Sequence, residues 1–300
     1  MATFLQYTVN GLTVGSFFAL VALGYTIVFG ILRMINFAQG DLSMVGAFLG
    51  YTALVTLGAA GMPVVLALVV TLAVSMVGTV AVNLVILEAA YRPMLRRKSA
   101  LGIVITALGM ALLLENGVRL LYGPIPKAYP PVLPDKTFHL GGVVLSYQQI
   151  VLVLVSAILM VGLLWFANKT TTGTAMRALS SDHDAARLMG VNVDWMIRLA
   201  FVFSAVLASA SGIMLALYYA QIDFMMGFLL GLKAFTAAVI GGIGNIPGAV
   251  LGGLLIGLLS SYFSAYVSGR WTDALVFGAL VLTLVIRPTG LLGERVVERV

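Results

Sequence analysis

Long runs of apolar residues, separated by short polar segments, fill most of this chain. A helix that crosses a bilayer needs ~20 mostly apolar residues. Because every backbone group in lipid must find a partner inside its own segment, each run should be helical, whereas a β-barrel would show short alternating segments. The pattern predicts an all-α polytopic membrane protein with about nine transmembrane segments, within a range of eight to ten. The segments are 8–32, 37–58, 63–88, 100–121, 148–167, 197–220, 227–244, 248–267 and 271–287.

Polar residues interrupt this pattern in the stretch INFAQGDLSMVG, residues 35–46. Residues 1–32 and 42–87 carry no charge, yet the stretch contains Asn36, Gln39, Asp41 and Ser43. We interpret it as a break in a membrane helix, in which residues 36–40 relax the chain and Asp41 or Ser43 starts the next helix.

A second interruption, GGIGNIP at residues 241–247, has a similar order of residues. Gly40-Asp41-Leu42-Ser43 overlays Gly244-Asn245-Ile246-Pro247, each with glycine before a capping residue and a new apolar run. Paired broken helices indicate a transport pathway. We therefore expect two pseudo-repeated halves with broken helices near 36–43 and 241–247. Whether segments 37–58 and 227–244 span fully or are re-entrant stays open.

Composition supports the membrane class. Of the 300 residues, 61% are hydrophobic and 9% are charged, with a mean hydropathy of +1.09, against about 25% charged residues in soluble domains. The absence of Cys excludes disulfides and Cys-ligated metals. We expect one transmembrane domain, 1–300, with a first half at 1–167, a cytoplasmic coupling loop at 168–195 and a second half at 196–300.

Basic residues predict the orientation. With the N-terminus outside and nine spans, twelve of the 17 Lys and Arg residues fall inside, which the positive-inside rule favours. The outer side receives Arg119, Lys127, Lys136 and Arg270. The inner set is Arg33, Arg92, Arg96, Arg97, Lys98, Lys169, Arg177, Arg187, Arg198, Arg287, Arg295 and Arg299.

The inner loop predicts one short amphipathic helix of about four turns. Met176, Leu179, Leu188 and Met189 share its apolar side, and Gly190 ends it. The helix either rests on lipid headgroups or docks a soluble partner. In the second case its polar face carries Arg177, Asp182 and Asp184.

Ionisable residues inside membrane segments are costly and usually functional. Asp41, Glu115 and Lys233 fit this description, although a capping, helix-pairing or snorkelling role is the alternative for each. The residues that we expect to line or gate the path are Asn36, Gln39, Gly40, Asp41, Ser43, Glu115, Asn116, Lys233, Gly242, Gly244, Asn245 and Pro247.

The sequence offers no catalytic constellation. A Gly-x-x-x-x-Gly-Lys-Ser/Thr phosphate loop is absent. His139 and His183 fall on opposite sides of the membrane in the predicted topology, so a metal site or a His-based catalytic pair is not expected. We therefore expect no enzymatic activity, metal or cofactor in this chain.

Several stretches resemble the permease subunits of ATP-binding-cassette importers for branched-chain amino acids, and in particular the shorter of the two permeases. They are ALGYTIVFGILRMINFAQGDLSMVGAF (22–48), AYRPMLRR (90–97), GTAMRALSSDHDAARLMGVN (173–192) and GLKAFTAAVIGGIGNIPGAVLGG (231–253). One departure is Gln39-Gly40-Asp41, where such proteins often have His-Gly-Glu.

The resemblance implies that the inner loop docks on an ATPase and transmits its closure. The family pattern maps this role onto Gly173, Arg177, Ala178, Asp182, Ala186 and Gly190. It also implies a bacterial inner-membrane importer with a second permease, two ATPases that use ATP and Mg²⁺, and an extracytoplasmic binding protein. The substrate would be a branched-chain or other neutral amino acid. Urea or short amides, and a self-contained channel or secondary transporter, are the alternatives, and a homodimer is as open as a heterodimer.

Overall fold

The computed structural model describes residues 2–58, 63–97, 99–140 and 142–293. Three basic residues used for the predicted orientation, Lys98, Arg295 and Arg299, lie outside the described residues. All of the predicted apolar segments are helical in the described part of the chain, which confirms the all-α class. Their helices are α1 (Ala2–Leu32), α2 (Gln39–Gly58), α3 (Val64–Ile86), α5 (Ala100–Tyr122), α6 (Tyr147–Lys169), α9 (Val193–Tyr219), α10 (Met226–Gly241), α11 (Ile246–Phe263) and α12 (Thr272–Ile286).

Shorter elements connect these helices. A π-helical turn at Leu87–Tyr91 carries α3 into α4 (Arg92–Arg96), and the inner loop forms α7 (Thr171–Ser181) and α8 (His183–Leu188). The Pro-rich connection 122–147 contains short strands. β1 (Lys127–Ala128) pairs antiparallel with β4 (Gln221–Ile222), which follows α9, and β2 (Thr137–Leu140) pairs antiparallel with β3 (Val143–Ser146).

Six helical stretches among the described residues are long and apolar enough to cross a membrane. The longest, Ile246–Ile286, has 41 residues and would measure about 60 Å if it were straight. Asn245 before it donates from Nδ2 to the carbonyl of Leu292 after it, at 2.8 Å. The chain therefore reverses direction at the π and 3-10 turns of residues 264–271, and α11 and α12 form a hairpin of two segments.

The first helix lies at the centre of the bundle and runs antiparallel to α11. A β-carbon on Gly11 would lie 2.9 Å from Cα of Leu258, and one on Gly15 would lie 2.9 Å from Cα of Leu254. The backbones approach this closely because neither glycine has a side chain, the usual packing device of membrane helices. Since α1 and α2 also pack on α9 and α10, the helices of the two predicted halves interlock.

Two faces of the bundle are defined by their connections. The loop face carries residues 168–192, and the guanidinium of Arg33 just after α1 bonds to the carbonyl of Ser180 there. The opposite face carries residues 123–146, and Gln6 near the start of α1 bonds to Val144 there. The first helix therefore runs from the opposite face to the loop face.

The first predicted break lies between α1 and α2, deep in the bundle. Asn36 closes the turn, since its Oδ1 accepts hydrogen bonds from the N–H of Ala38 at 3.1 Å and from the Tyr91 hydroxyl at 2.6 Å. The next helix begins at Gln39, so the expectation that Asp41 or Ser43 starts it was wrong. Gln39 contacts Ser204, near the middle of α9, so α2 begins at mid-depth and continues to the opposite face.

The second predicted break is a turn at the loop face. Gly242 and Gly244 have φ angles of 108° and 94°, which favour glycine. Asn245 caps α11 by accepting from the N–H of Gly248 at 2.9 Å, and Pro247 lies in the first helical turn. The Asn-x-Pro helix start is therefore confirmed, although the two breaks lie at different depths.

The start of α10, rather than the second break, meets α2 inside the bundle. A β-carbon on Gly40 would lie 2.3 Å from the carbonyl oxygen of Gly227 and 2.6 Å from Cα of Gly231. Only glycine permits so close an approach at this crossing. Two helices that point toward opposite faces therefore begin side by side at mid-depth.

Candidate translocation cavity and coupling loop

The polar residues of the first break point in two directions. Gln39 donates from Nε2 to the carbonyl of Ser204 at 3.0 Å and accepts from the Ser204 hydroxyl at 2.6 Å. Ser43 is buried and bonds back to the carbonyl of Gln39 at 3.5 Å. Gln39 therefore attaches α2 to α9, Ser43 bonds within α2, and both side chains are satisfied within the protein.

The carboxyl group of Asp41 faces the other way, toward α10. The residue is 3% exposed, and its Oδ1 has no hydrogen-bond partner among the described residues. A β-carbon on Gly227 would lie 2.7 Å from this oxygen. Its position in the first turn of α2 favours a negative charge, but a buried polar atom without a partner is costly. Such an atom is a site at which to look for a ligand.

A cavity of about 260 Å³ lies in front of Asp41. It brings Asp41 of α2 and Glu115 of α5 to one space, and a path role for the two residues remains a prediction. Most of its remaining surface is apolar, and none of its described lining residues is basic. The lining residues are Tyr25, Phe37, Asp41, Leu108, Ala111, Leu112, Glu115, Gly227, Phe228, Gly231, Leu232 and Phe235.

Aromatic rings form one side of this cavity. The rings of Tyr25 and Phe235 meet edge to face with centroids 6.0 Å apart, and those of Phe37 and Phe235 are 6.2 Å apart. Their π faces attract cations. Sequence reasoning did not select these three residues, because isolated aromatics in apolar runs usually belong to the core.

Other predicted path residues lie elsewhere. Asn116 points away from the cavity and bonds to the carbonyl of Leu112 at 2.8 Å. Lys233 pairs with Asp273 of α12, with Nζ and Oδ1 2.6 Å apart, in a separate cavity of about 630 Å³. Gly242, Gly244, Asn245 and Pro247 lie at the loop face, where Gly244 neighbours the coupling loop. A path role for these residues remains a prediction.

The coupling loop contains two helices instead of the single helix that its sequence suggested. Asp182 separates them, since its Oδ1 accepts from the N–H groups of Asp184 at 2.8 Å and Ala185 at 3.0 Å. These backbone donors hold the pKa of the Asp182 carboxyl below its usual value. The single-helix prediction was wrong because an aspartate that caps a new helix overrode the apolar periodicity.

The apolar residues of the loop divide accordingly. Leu179 is fully buried, whereas Leu188 and Met189 at the end of α8 are 88% and 85% exposed. Gly190, with a φ of 85°, ends α8. The expected common apolar side does not form, and we call Leu188 and Met189 the apolar tip of the loop.

Several residues of the family coupling pattern shape the loop itself. The guanidinium of Arg177 bonds to the carbonyl of Ala167 and, at 3.2 Å, to Oδ1 of Asn168. A β-carbon on Gly173 would lie 2.4 Å from the carbonyl oxygen of Phe166. Ala186 is buried, while Ala178 is exposed on α7. These contacts hold α7 in place, whereas the apolar tip at the end of α8 is exposed.

Comparison with known proteins decides the family. Residues 7–285 match the family model of the branched-chain amino acid transport system permease component. The chain belongs to this family. The permease protein BraD of the high-affinity branched-chain amino acid transport system of Pseudomonas aeruginosa is 42% identical over 302 residues, covering 99% of this chain and 98% of that protein. LivH, the corresponding permease protein of Escherichia coli, is 38% identical over 308 residues, with the same coverage.

A solved structure has the same fold. A metal-chelate type ABC transporter in an inward-facing conformation superposes with a TM-score of 0.51 and 16% identity, covering 93% of this chain and 86% of that chain. The family match and the apolar helices together make the chain a multi-pass membrane permease of a bacterial transport system. Membership of this family argues against a self-contained channel or secondary transporter.

Proposed function

We propose that this chain is the membrane-spanning subunit through which an ATP-driven importer carries branched-chain or other neutral amino acids. The cavity at Asp41 is the observation that supports this substrate class. Its lining combines carboxyl groups with Leu108, Leu112 and Leu232, which suits a small molecule with a polar end and an aliphatic side chain. The relatives BraD and LivH, named for branched-chain amino acid transport, support the same class.

Two features indicate the partners: the sequence has no phosphate loop, and the coupling loop exposes an apolar tip. Because its sequence has no phosphate loop, ATP and Mg²⁺ are used by two separate ATPase subunits, and this chain holds no cofactor. The apolar tip of the coupling loop suits insertion into a groove on one of them. A second permease completes the path, and an extracytoplasmic binding protein delivers the substrate.

The loop face is cytoplasmic in this proposal, in the bacterial inner membrane. The N-terminus is then outside and the C-terminus inside. An ion-pair cluster supports this orientation, since Glu88 contacts Arg92 at 2.6 Å and Arg198 at 3.0 Å close to that face. Basic residues beside membrane helices favour the cytoplasm.

Transport would proceed by relative movement of α2 and α10. Both helices begin at mid-depth beside the cavity. Their backbones contact each other directly at Gly40, Gly227 and Gly231, without side chains between them. Closure of the ATPases would move the coupling loop, which contacts α1, α6 and α9. The cavity would then open alternately to the two faces.

Reconstitution into proteoliposomes tests the proposal. We expect uptake of radiolabelled leucine only when this chain, the second permease, both ATPases, the binding protein and ATP are all present. Uptake by this chain alone would contradict it, and so would competition by urea or acetamide that equals competition by valine. Calorimetry on the binding protein with leucine, urea and acetamide provides the matched measurement of substrate class.

A further inference from the structure

We propose that Asp41 and Glu115, with the rings of Tyr25 and Phe235, form a recognition site for the ammonium group of the transported amino acid. The inference rests on the proposed function and extends it by assigning the chemical group that each side of the cavity binds. Leu108, Leu112 and Leu232 would then receive the aliphatic side chain.

One carboxyl oxygen of Asp41 has no hydrogen-bond partner among the described residues. Gln39 and Ser43 in the first turn of α2 are satisfied by α9 and by backbone, whereas Oδ1 of Asp41 in that turn has no partner in the part of the chain that the structure describes. The residue is 3% exposed and faces a cavity. A donor that arrives with a ligand would remove the cost of leaving this oxygen unpaired.

The charge of the lining residues also favours a cationic ligand. Two carboxyl groups line the cavity, and its described lining residues include no lysine, arginine or histidine to balance them. Lys233 on α10 forms an ion pair with Asp273, with Nζ and Oδ1 2.6 Å apart. A ligand with a positive group is therefore the complementary one.

The aromatic side makes an ammonium the best fit among donors. Tyr25, Phe37 and Phe235 line the same space, and aromatic rings attract cations over their π faces. Urea and short amides also donate hydrogen bonds to carboxylates, but they carry no charge. The cavity of about 260 Å³ has room for a free amino acid.

Cysteine labelling in the assembled importer tests the charge preference. The natural chain has no Cys, so Ala111→Cys places a single thiol of this subunit in the cavity, and mass analysis of this subunit reports its labelling. Two reagents are compared, the cationic aminoethyl methanethiosulfonate and the anionic sulfonatoethyl methanethiosulfonate, at Ala111→Cys and at Leu120→Cys on the same helix. We expect the ratio of the cationic to the anionic labelling rate to be about tenfold higher at Ala111→Cys than at Leu120→Cys. Asp41→Asn and Glu115→Gln should each reduce that preference, while Asp135→Asn in the exposed connection should not.

Protection of the same thiol tests the ligand group. Leucine and 3-methylbutylamine should slow labelling, whereas 4-methylpentanoate, urea and acetamide should not. The inference is overturned if the cation preference survives both acidic-site variants, or if amides protect as well as the amine. Leucine uptake by the unmodified importer is measured separately, so a failure of transport with intact amine protection rejects the proposed function and leaves the ammonium site standing.

Discussion

Truncation of the apolar tip, Leu188→Ala together with Met189→Ala, should weaken the association of this permease with its ATPase. The two side chains are 88% and 85% exposed, so nearly all of their surface is available to a partner. Because neither packs on the rest of the loop, their removal should leave the membrane bundle intact. The variant therefore isolates docking from folding.

The size of the effect follows from the exposed groups. Truncation removes about three methylene-sized groups from each side chain, which at ~0.8 kcal/mol per group gives an upper limit near ~5 kcal/mol. Ordering the two side chains in an interface costs about 0.5–1.5 kcal/mol each. We expect a loss of about 2–4 kcal/mol in binding free energy, which corresponds to a ~30- to 700-fold higher Kd.

Biolayer interferometry between the permease pair in nanodiscs and the purified ATPase measures this Kd. Leu120→Ala with Leu121→Ala is the matched control, because these residues are 87% and 82% exposed at the other end of the bundle. The docking argument fails if the tip variant binds within about twofold of the wild type, which is the scatter of neutral surface changes. Equal weakening in both variants would refute it as well.

Three further predictions concern the fold that supports the site. Gly257→Val should lower the free energy of unfolding by about 1–3 kcal/mol or prevent insertion, because its β-carbon would lie 2.2 Å from the α1 backbone; thermal unfolding in detergent measures this. Asn36→Ala should cost about 1–3 kcal/mol in the same assay, because it removes the acceptor of the buried Tyr91 hydroxyl. Asp182→Ala should increase hydrogen exchange in α8 at neutral pH, because the cap is lost.

Each of these predictions has its own control. Gly117→Ala meets no atom within 4 Å and should leave thermal unfolding unchanged. Asn36→Asp keeps the acceptor oxygen and should recover part of the loss. The lowered pKa of Asp182 means that its capping contribution is complete above its ordinary pKa of 3.8 and is lost as pH falls through the lowered pKa. Protection of α8 that changes between about pH 5 and 8 would contradict this assignment.

The membrane helices could be predicted from sequence because lipid imposes a length and an apolar composition on each span. The turn at 241–247 was also predictable, since Asn245 and Pro247 follow general rules for helix starts. The start of α2 was not, because Asn36 closes its turn through a bond to Tyr91, which is 55 residues away. Such tertiary bonds leave no periodic signal.

Within the candidate site, sequence reasoning identified the two acidic residues but not their surroundings. Asp41 and Glu115 could be identified from sequence because a charged side chain inside a membrane segment is energetically unfavourable and usually functional. The partition of the polar turn, with Gln39 toward α9 and Asp41 toward the cavity, depends on which neighbours each side chain meets. The aromatic side of the cavity could not be predicted for the same reason. Tyr25 belongs to α1 and Phe235 to α10, and their rings meet only in the folded bundle.

The packing of α1 on α11 has a consequence for how the protein is made. α1 leaves the ribosome about 210 residues before its main partner, α11, whose Gly253 and Gly257 pack against it. At ~5–20 residues per second, α1 waits roughly 10 to 50 seconds in the bilayer before that partner exists. Its glycine-lined surface therefore faces lipid or the insertion machinery during that interval, and a chain truncated before α11 leaves it unpaired for quality-control proteases to recognise.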